Sequence, residues 1–176
     1  MALTYQAIAT VTVGSGGSTE ITFTSIPGTY TDLVCLLSHR TTGAVAGASW
    51  ALGLKINGAT TNRTWRRLEG YDGTNVASSN GTTTLIGLIQ GDSSTASTFG
   101  NLQLYIPNYA GSNNKSFSVD GVTENNSSTG NALAFVAGLW SQTSAITEIS
   151  FYNLTSGTDG FKQYSTATLY GIKNTV

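Results

Sequence analysis

Apolar and polar residues alternate along most of the chain, in short runs separated by segments rich in glycine, serine, threonine and asparagine. From Leu3 to Val13 an apolar residue stands at every second position. A period of two puts the apolar side chains on one face of a β-strand. Similar runs predict further strands over 20–26, 31–39, 49–56, 83–90, 99–107, 115–122, 132–141, 145–152 and 165–173.

The segments between these runs carry residues typical of turns. Asn57-Gly58 and Asn80-Gly81 favour the positive φ angles of tight hairpins. Residues 14–18 and 124–131 predict exposed loops, and no helical period is sustained. The sequence therefore predicts an all-β protein, a single antiparallel β-sandwich of the jelly-roll-like kind, with residues 1–176 as one domain.

Two of the predicted strands are apolar on both faces. They cover residues 33–37 and most of residues 132–140. A strand of a sandwich normally shows one face to water. We therefore expect the second face of these strands to be covered, either by a loop or by a neighbouring subunit.

The charge of the chain is low and nearly balanced. Charged residues make up 10% of the sequence and the net charge is −1. General binding to nucleic acid or to an anionic membrane needs a broad positive field, so neither partner is expected. The first residues lack the basic start and unbroken apolar run of a signal peptide, and no segment has the ~20 apolar residues of a membrane span.

Residues that carry chemistry are scarce. Cys35 is the only cysteine and His39 the only histidine. On one strand they face the same side but lie roughly 13 Å apart, too far for a direct hydrogen bond. One cysteine and one histidine cannot form a His/Cys metal cluster, and the carboxylates match no calcium-loop pattern. We expect no enzyme activity, no metal and no cofactor.

The segment TNRTWRRLEGYDG, residues 61–73, concentrates charge in a chain that has little. It contains three of the eight basic residues within five positions. Three hypotheses account for it: a nucleic-acid contact, a solvated strand end whose arginines pair with Glu69 and Asp72, and a protein docking surface. Docking is favoured because arginine, tryptophan and tyrosine are enriched at interface hot spots. The candidate docking residues are Arg63, Trp65, Arg66, Arg67 and Tyr71.

Aromatic side chains leave a sugar-binding platform open as an alternative. Most aromatic residues of a sandwich belong to its core or to a subunit interface, but an exposed ring can stack on a sugar. The residues considered are Trp50, Trp65, Trp140, Tyr30, Tyr71, Tyr105 and Tyr109.

Four segments of the chain resemble a known family in the same order along nearly its whole length. They are ITFTSIPGTYTDLVCLLSHRT at 21–41, NRTWRRLEGYDGTNVASSNG at 62–81, LYIPNYAGSNNKSFSVDG at 104–121, and the GLWSQTSAITEISFY and STATLYGIK stretches within 138–173. These motifs resemble those of small β-sandwich structural proteins from the virions of tailed bacteriophages.

The resemblance implies a structural protein of the virion that is often a trimer. A free-standing sandwich of 176 residues fits a capsid decoration, or cement, protein on the surface of the head. Its expected partners are the major capsid protein and two further copies in a homotrimer. The alternative is a receptor-binding or carbohydrate-binding module of a tail fibre or baseplate, with a host glycan as partner.

Overall fold

The computed structural model describes residues 4–44, 50–73, 75–128 and 130–173. Within these ranges the chain forms twelve strands and no helix. The strands are β1 Tyr5–Thr12, β2 Glu20–Phe23, β3 Asp32–His39, β4 Trp50–Ile56, β5 Arg63–Tyr71, β6 Asn75–Gly81, β7 Leu85–Ile89, β8 Gly100–Ile106, β9 Lys115–Thr123, β10 Ala132–Trp140, β11 Ile149–Asn153 and β12 Thr166–Ile172.

The strands form two antiparallel sheets that pack as a sandwich, which confirms the predicted fold class. The larger sheet has eight strands in the order β1-β12-β3-β8-β9-β10-β5-β6. The smaller sheet has four strands in the order β2-β11-β4-β7. Every pair of neighbouring strands is antiparallel.

Eight of the strands have the topology of a jelly roll. They are the four strands β1-β12-β3-β8, which form one half of the larger sheet, and the four strands β2-β11-β4-β7 of the smaller sheet. The first strands pair with the last ones, β1 with β12 and β2 with β11, and the inner pairs β3 with β8 and β4 with β7 follow the same nesting. This is how two Greek keys wrap into a jelly roll.

The remaining four strands widen the larger sheet on one side. The hairpin β5–β6 follows β4 in the chain, and the hairpin β9–β10 follows β8. Strand β9 pairs with β8, and β10 joins the two hairpins by pairing with both β9 and β5. We call β9, β10, β5 and β6 the sheet extension.

Alternation along the strands places the core between the two sheets. On β8, for example, Leu102, Leu104 and Ile106 are buried, while Asn101 and Gln103 are exposed. Side chains from the inner face of the smaller sheet complete the same cluster, among them Ile21, Leu52, Leu54 and Phe151. A domain of this length buries roughly 70% of the surface of its unfolded chain, which is enough to hold the fold without disulfides.

All ten predicted strands are present, but two further strands were not predicted. Strand β5 lies within the charge-rich segment 61–73, and β6 follows it directly in the chain. The Asn57-Gly58 turn is confirmed, with φ angles of 49° and 71°. The Asn80-Gly81 turn was wrong, because both residues lie within β6. The turn between β5 and β6 contains Asp72 and Gly73 instead, with φ angles of 49° and 69°.

Candidate docking surface

Strand β5 carries the charged cluster, and its alternation decides where each side chain lies. Arg63, Trp65 and Glu69 are buried on the inner side, whereas Thr64 and Arg66 are exposed on the outer side. The sequence grouped the arginines by proximity along the chain. The strand separates them, because successive side chains point to opposite faces.

Arg63 is a structural cation inside the protein. Its Nη1 atom donates to the carbonyl oxygen of Leu54 at 2.6 Å, and its Nη2 atom donates to that of Ala59 at 2.9 Å. The side chain is 4% exposed, and burial lowers the pKa of its guanidinium from the ordinary value. Arg63 thereby ties β5 to the end of β4 in the other sheet, and it is not available to a partner.

Trp65 and Arg67 support the inner side of the sheet extension. The indole Nε1 of Trp65 donates to Thr83 Oγ1 at 3.2 Å. The guanidinium of Arg67 lies 5.8 Å from the centre of the Trp65 ring and donates to Glu69 Oε1 at 2.8 Å and to Ser79 Oγ at 3.3 Å. Strand β7 is the edge of the smaller sheet, so that sheet does not continue beneath β5 and β6. The contacts of Trp65 and Arg67 cover the inner side of the sheet extension there instead.

Arg66 and Tyr71 are the candidate docking residues that solvent reaches most readily. Arg66 is exposed, and no described residue forms an ion pair with it. Tyr71 is partly exposed at the end of β5, where burial raises its pKa to about 12 and the neighbouring Glu69 carboxylate adds to the rise. Its hydroxyl therefore remains a neutral hydrogen-bond donor at physiological pH.

The outer side of the sheet extension carries apolar side chains that solvent reaches. Phe135 on β10 lies opposite Leu68 on β5, and Leu133 lies opposite Val122 on β9. Residues directly opposite on an antiparallel pair have Cβ atoms ~5 Å apart, so these side chains are in contact range. The apolar face consists of Leu68 (51% exposed), Val76 (79%), Val122 (40%), Leu133 (46%) and Phe135 (57%).

A groove continues the apolar face at one end of the same strands. It has a volume of about 370 Å³ and lies between the β5–β6 turn and the β9–β10 connection. Val76, Val122 and Leu133 line it from the apolar face, and Tyr71 and Glu124 line it from the strand ends. Gly70 lines the groove without a side chain, and a Cβ atom there would lie 3.6 Å from Leu133. The apolar face and the groove form one continuous candidate surface.

Two exposed charges of opposite sign flank the apolar face. Arg66 stands on β5 beside Leu68, and Asp120 stands on β9 directly opposite Phe135. Neither has an ion-pair partner among the described residues. An apolar centre with a sparse charged rim is the usual composition of a protein interface.

The sequence anticipated this surface only in part. The run over 132–140 predicted a strand with two apolar faces, and the structure leaves its outer face, with Leu133 and Phe135, open to solvent. The second such run, over residues 33–37, has two outward side chains. Of these, Val34 is buried and Leu36 is 44% exposed. No loop in the described part of the chain covers the apolar face of β10.

The cysteine and the histidine, the side chains with potential for nucleophilic or metal chemistry, lie in the core. Cys35 and His39 are both buried on the inner face of β3. Burial raises the pKa of the Cys35 thiol and lowers that of the His39 imidazole to about 4. Among the described residues, no group of three or more His, Cys, Asp or Glu side chains is arranged to hold a metal ion, and no helix is long and apolar enough to cross a membrane.

None of the described aromatic side chains named for a sugar platform is well exposed. Trp65, Trp140 and Tyr109 are buried, and Tyr109 donates its hydroxyl to the carbonyl oxygen of Pro27. The Trp50 side chain lies outside the described part of the chain, while Tyr30, Tyr71 and Tyr105 are only partly exposed. Among the side chains that the structure describes, the well-exposed aromatic ones are Tyr5, Phe135 and Tyr164.

Comparisons of the chain with protein-family models, with curated proteins and with solved structures find no match.

Proposed function

We propose that this protein decorates the outside of a bacteriophage head and stabilises the assembled shell. The observation that carries the proposal is the apolar face, which spans four strands and is open to solvent. The motif resemblance to virion proteins of tailed phages supports the same conclusion. The jelly roll alone would not, because one fold serves many functions.

The apolar face is suited to a large, rigid partner. Its side chains stand on a hydrogen-bonded sheet, so little conformational entropy is lost when a second surface covers them. Burying the remaining exposed part of each side chain contributes about 1 kcal/mol. The partner we propose is the major capsid protein in its assembled form, with Arg66 and Tyr71 as polar contacts at the rim.

The stabilisation follows from mass action. A ligand that binds the assembled shell but not free subunits shifts the equilibrium toward the shell. Contacts that span the junction of two capsid subunits exist only after assembly, so the protein adds its binding energy to the assembled state alone.

We also propose that the protein acts as a homotrimer. Three copies joined in one unit would present three apolar faces to a shell with local symmetry. The second and third contacts then form at a high effective concentration, which raises the overall affinity without new kinds of contact. Native mass spectrometry of the purified protein tests this point, with a trimer expected and a monomer at micromolar concentration contradicting it.

The docking role is tested by co-sedimentation with phage heads that lack the protein. Phe135→Ser removes the largest side chain of the apolar face, and we expect binding at least tenfold weaker. Leu36→Ser is the matched control, because Leu36 is similarly exposed on the same sheet but has Gln103 and Thr168 as its neighbours. Equal effects of the two substitutions, or none from Phe135→Ser, would contradict the proposal.

A receptor-binding module of the phage tail is the second candidate. The observation that favours it is an exposed tyrosine, Tyr164, beside a polar pocket. The two candidates differ in abundance, since a tail carries few copies of such a module and a head surface carries many.

A further inference from the structure

A second pocket lies at one end of the jelly roll, apart from the apolar face. It forms where β3 ends and where β8 and β12 begin, and its volume is about 420 Å³. None of its lining residues belongs to the apolar face. The side chains that matter below are Arg40, Asp92, Phe99, Lys162 and Tyr164.

A buried arginine fixes the wall of this pocket. Arg40 is 4% exposed, and its guanidinium donates to the carbonyl oxygens of Asp92, Ser94, Thr95 and Thr98 at 2.7–3.0 Å. Its Nε atom also donates to Asp92 Oδ1 at 3.3 Å. The loop before β8 is therefore held in one conformation without a ligand, which lowers the entropic cost of binding one.

An ion pair at the rim offers both an acceptor and a donor. Lys162 Nζ donates to Asp92 Oδ1, the same oxygen that Arg40 Nε contacts. No described residue donates to the second carboxylate oxygen of Asp92, and both side chains are partly open to solvent. The contacts with Lys162 and Arg40 lower the pKa of Asp92, so this carboxylate stays ionised and accepts hydrogen bonds at physiological pH.

Tyr164 places an aromatic ring at the same rim. The residue is 68% exposed, and its φ angle of 73° lies in the left-handed region that side chains other than glycine, asparagine and aspartate rarely adopt. Its amide donates to the carbonyl oxygen of Val13 at 3.0 Å, which holds the strained turn in place. Strained backbone conformations cluster at functional sites, so this exposed ring is a candidate contact for a ligand.

We propose that this pocket binds a carbohydrate, a pyranoside with adjacent hydroxyl groups. The C–H face of the sugar stacks on the Tyr164 ring, Asp92 accepts hydrogen bonds from the hydroxyl groups, and Lys162 donates to them. A sugar combines an apolar face with groups that both donate and accept, as this rim does. A phosphate ligand fits less well, because carbonyl groups and Asp92 already engage the Arg40 guanidinium.

The sugar site does not rest on the proposed role at the phage head, and it deepens the second candidate by naming the ligand class of the pocket beside Tyr164. It shares no residue with the apolar face, and a protein on a phage head or on a tail could use it to hold glycans at the bacterial surface. Loss of sugar binding and loss of shell binding are therefore separable by mutation.

The experiment is a glycan array with the full-length protein, followed by saturation-transfer NMR with the methyl pyranosides of glucose, galactose and mannose and with the glycans captured on the array. We expect selective capture of at least one glycan and saturation transfer to its ring protons. Tyr164→Asn, which removes the ring but tolerates a left-handed φ angle, should weaken the affinity at least tenfold.

Two further variants complete the test. Tyr5→Ala removes another exposed tyrosine, which pairs with Ile172 at the end of β12 away from the pocket, and should leave the affinity within twofold. Lys162→Gln removes one donor at the rim and should weaken it several-fold. The inference fails if no sugar binds, if Tyr164→Asn binds as well as the parent protein, or if Tyr5→Ala loses affinity to the same extent.

Discussion

Three cations are buried in the described part of this protein, and each one is bound by backbone carbonyl groups. Arg40 holds the loop before β8, Arg63 joins β5 to β4, and Lys115 donates to the carbonyl oxygens of Gly111, Asn113 and Thr143. In a chain with eight basic residues, these three are used for structure. A buried charge needs such hydrogen bonds, because desolvation without them is costly.

Arg63, which is buried, and Arg66, which is exposed, form a matched pair on the same strand for testing what a buried cation contributes to stability. Arg63→Met leaves the carbonyl groups of Leu54 and Ala59 without their donor, and we expect the free energy of unfolding to fall by about 3 kcal/mol. Arg66→Met changes an exposed side chain and should cost less than about 0.5 kcal/mol. Urea denaturation measures both, and equal losses would contradict the assignment of Arg63 to the interior.

His39 makes the stability depend on pH. Its pKa is about 4 in the folded protein, whereas an unfolded chain has a value near 6.5. Between these values the unfolded state binds more protons, so stability falls as the pH falls from about 6.5 to about 4. The contribution of this residue between pH 7 and pH 4.5 is about 2 to 3 kcal/mol.

His39→Gln is the variant that isolates this term, since the chain has no other histidine. Urea denaturation at pH 7 and pH 4.5 should show a smaller loss of stability in the variant than in the parent protein, by about 2 kcal/mol. Identical losses in both proteins would mean that the imidazole is not buried in its neutral form.

Among the strands, the two that form the hairpin β5–β6 are those that the sequence did not predict. The other ten strands show an apolar period of two or a short apolar run, and each was predicted. On β5 the inward positions carry Arg63, Arg67 and Glu69, which break that pattern. Their burial depends on partners elsewhere in the chain, such as the carbonyl group of Leu54, so local periodicity has no means of revealing it.

The turn of this hairpin was misplaced for a related reason. Asn80-Gly81 has the composition of a tight turn, but Gly81 serves packing instead. It lies opposite Trp65, and a Cβ atom there would approach the indole Cζ2 atom to 2.7 Å. The glycine therefore makes room for the ring on β5.

Gly81→Ala tests this close approach. A methyl group at Gly81 must displace the Trp65 ring, and we expect a loss of about 1 to 3 kcal/mol in the free energy of unfolding. Gly157→Ala is the control, because a Cβ atom there meets nothing within 4 Å, and it should change stability by less than about 0.5 kcal/mol. A neutral Gly81→Ala variant would show that Trp65 does not pack on this residue.

At the scale of the whole molecule, a jelly roll carries a sheet extension whose outer side is apolar. Sequence periodicity predicted the sandwich and two strands with two apolar faces, of which β10 belongs to the sheet extension. It did not predict that β9, β10, β5 and β6 lie side by side, because strand order depends on pairing between distant segments. The docking residues proposed from the sequence were therefore placed near the right surface, but only Arg66 has an outward position on β5. The other four, Arg63, Trp65, Arg67 and Tyr71, have inward positions, and Tyr71 lines the groove from the strand end.

The chemistry of the apolar face predicts how binding responds to salt. Attachment through apolar side chains and one exposed arginine per copy should weaken less than about threefold per copy when salt rises from 50 to 200 mM. A surface that bound nucleic acid through many phosphate contacts would lose 10³-fold or more over the same range. Co-sedimentation with heads at the two salt concentrations measures this dependence, and a steep loss would contradict an apolar interface.

We propose that this protein is a component of the phage head, and its copy number in purified particles is the first quantity to measure. Quantitative mass spectrometry measures the amount of this chain relative to the major capsid protein. We predict an abundance comparable with that of the capsid protein. A few copies per particle, or none, would contradict the claim.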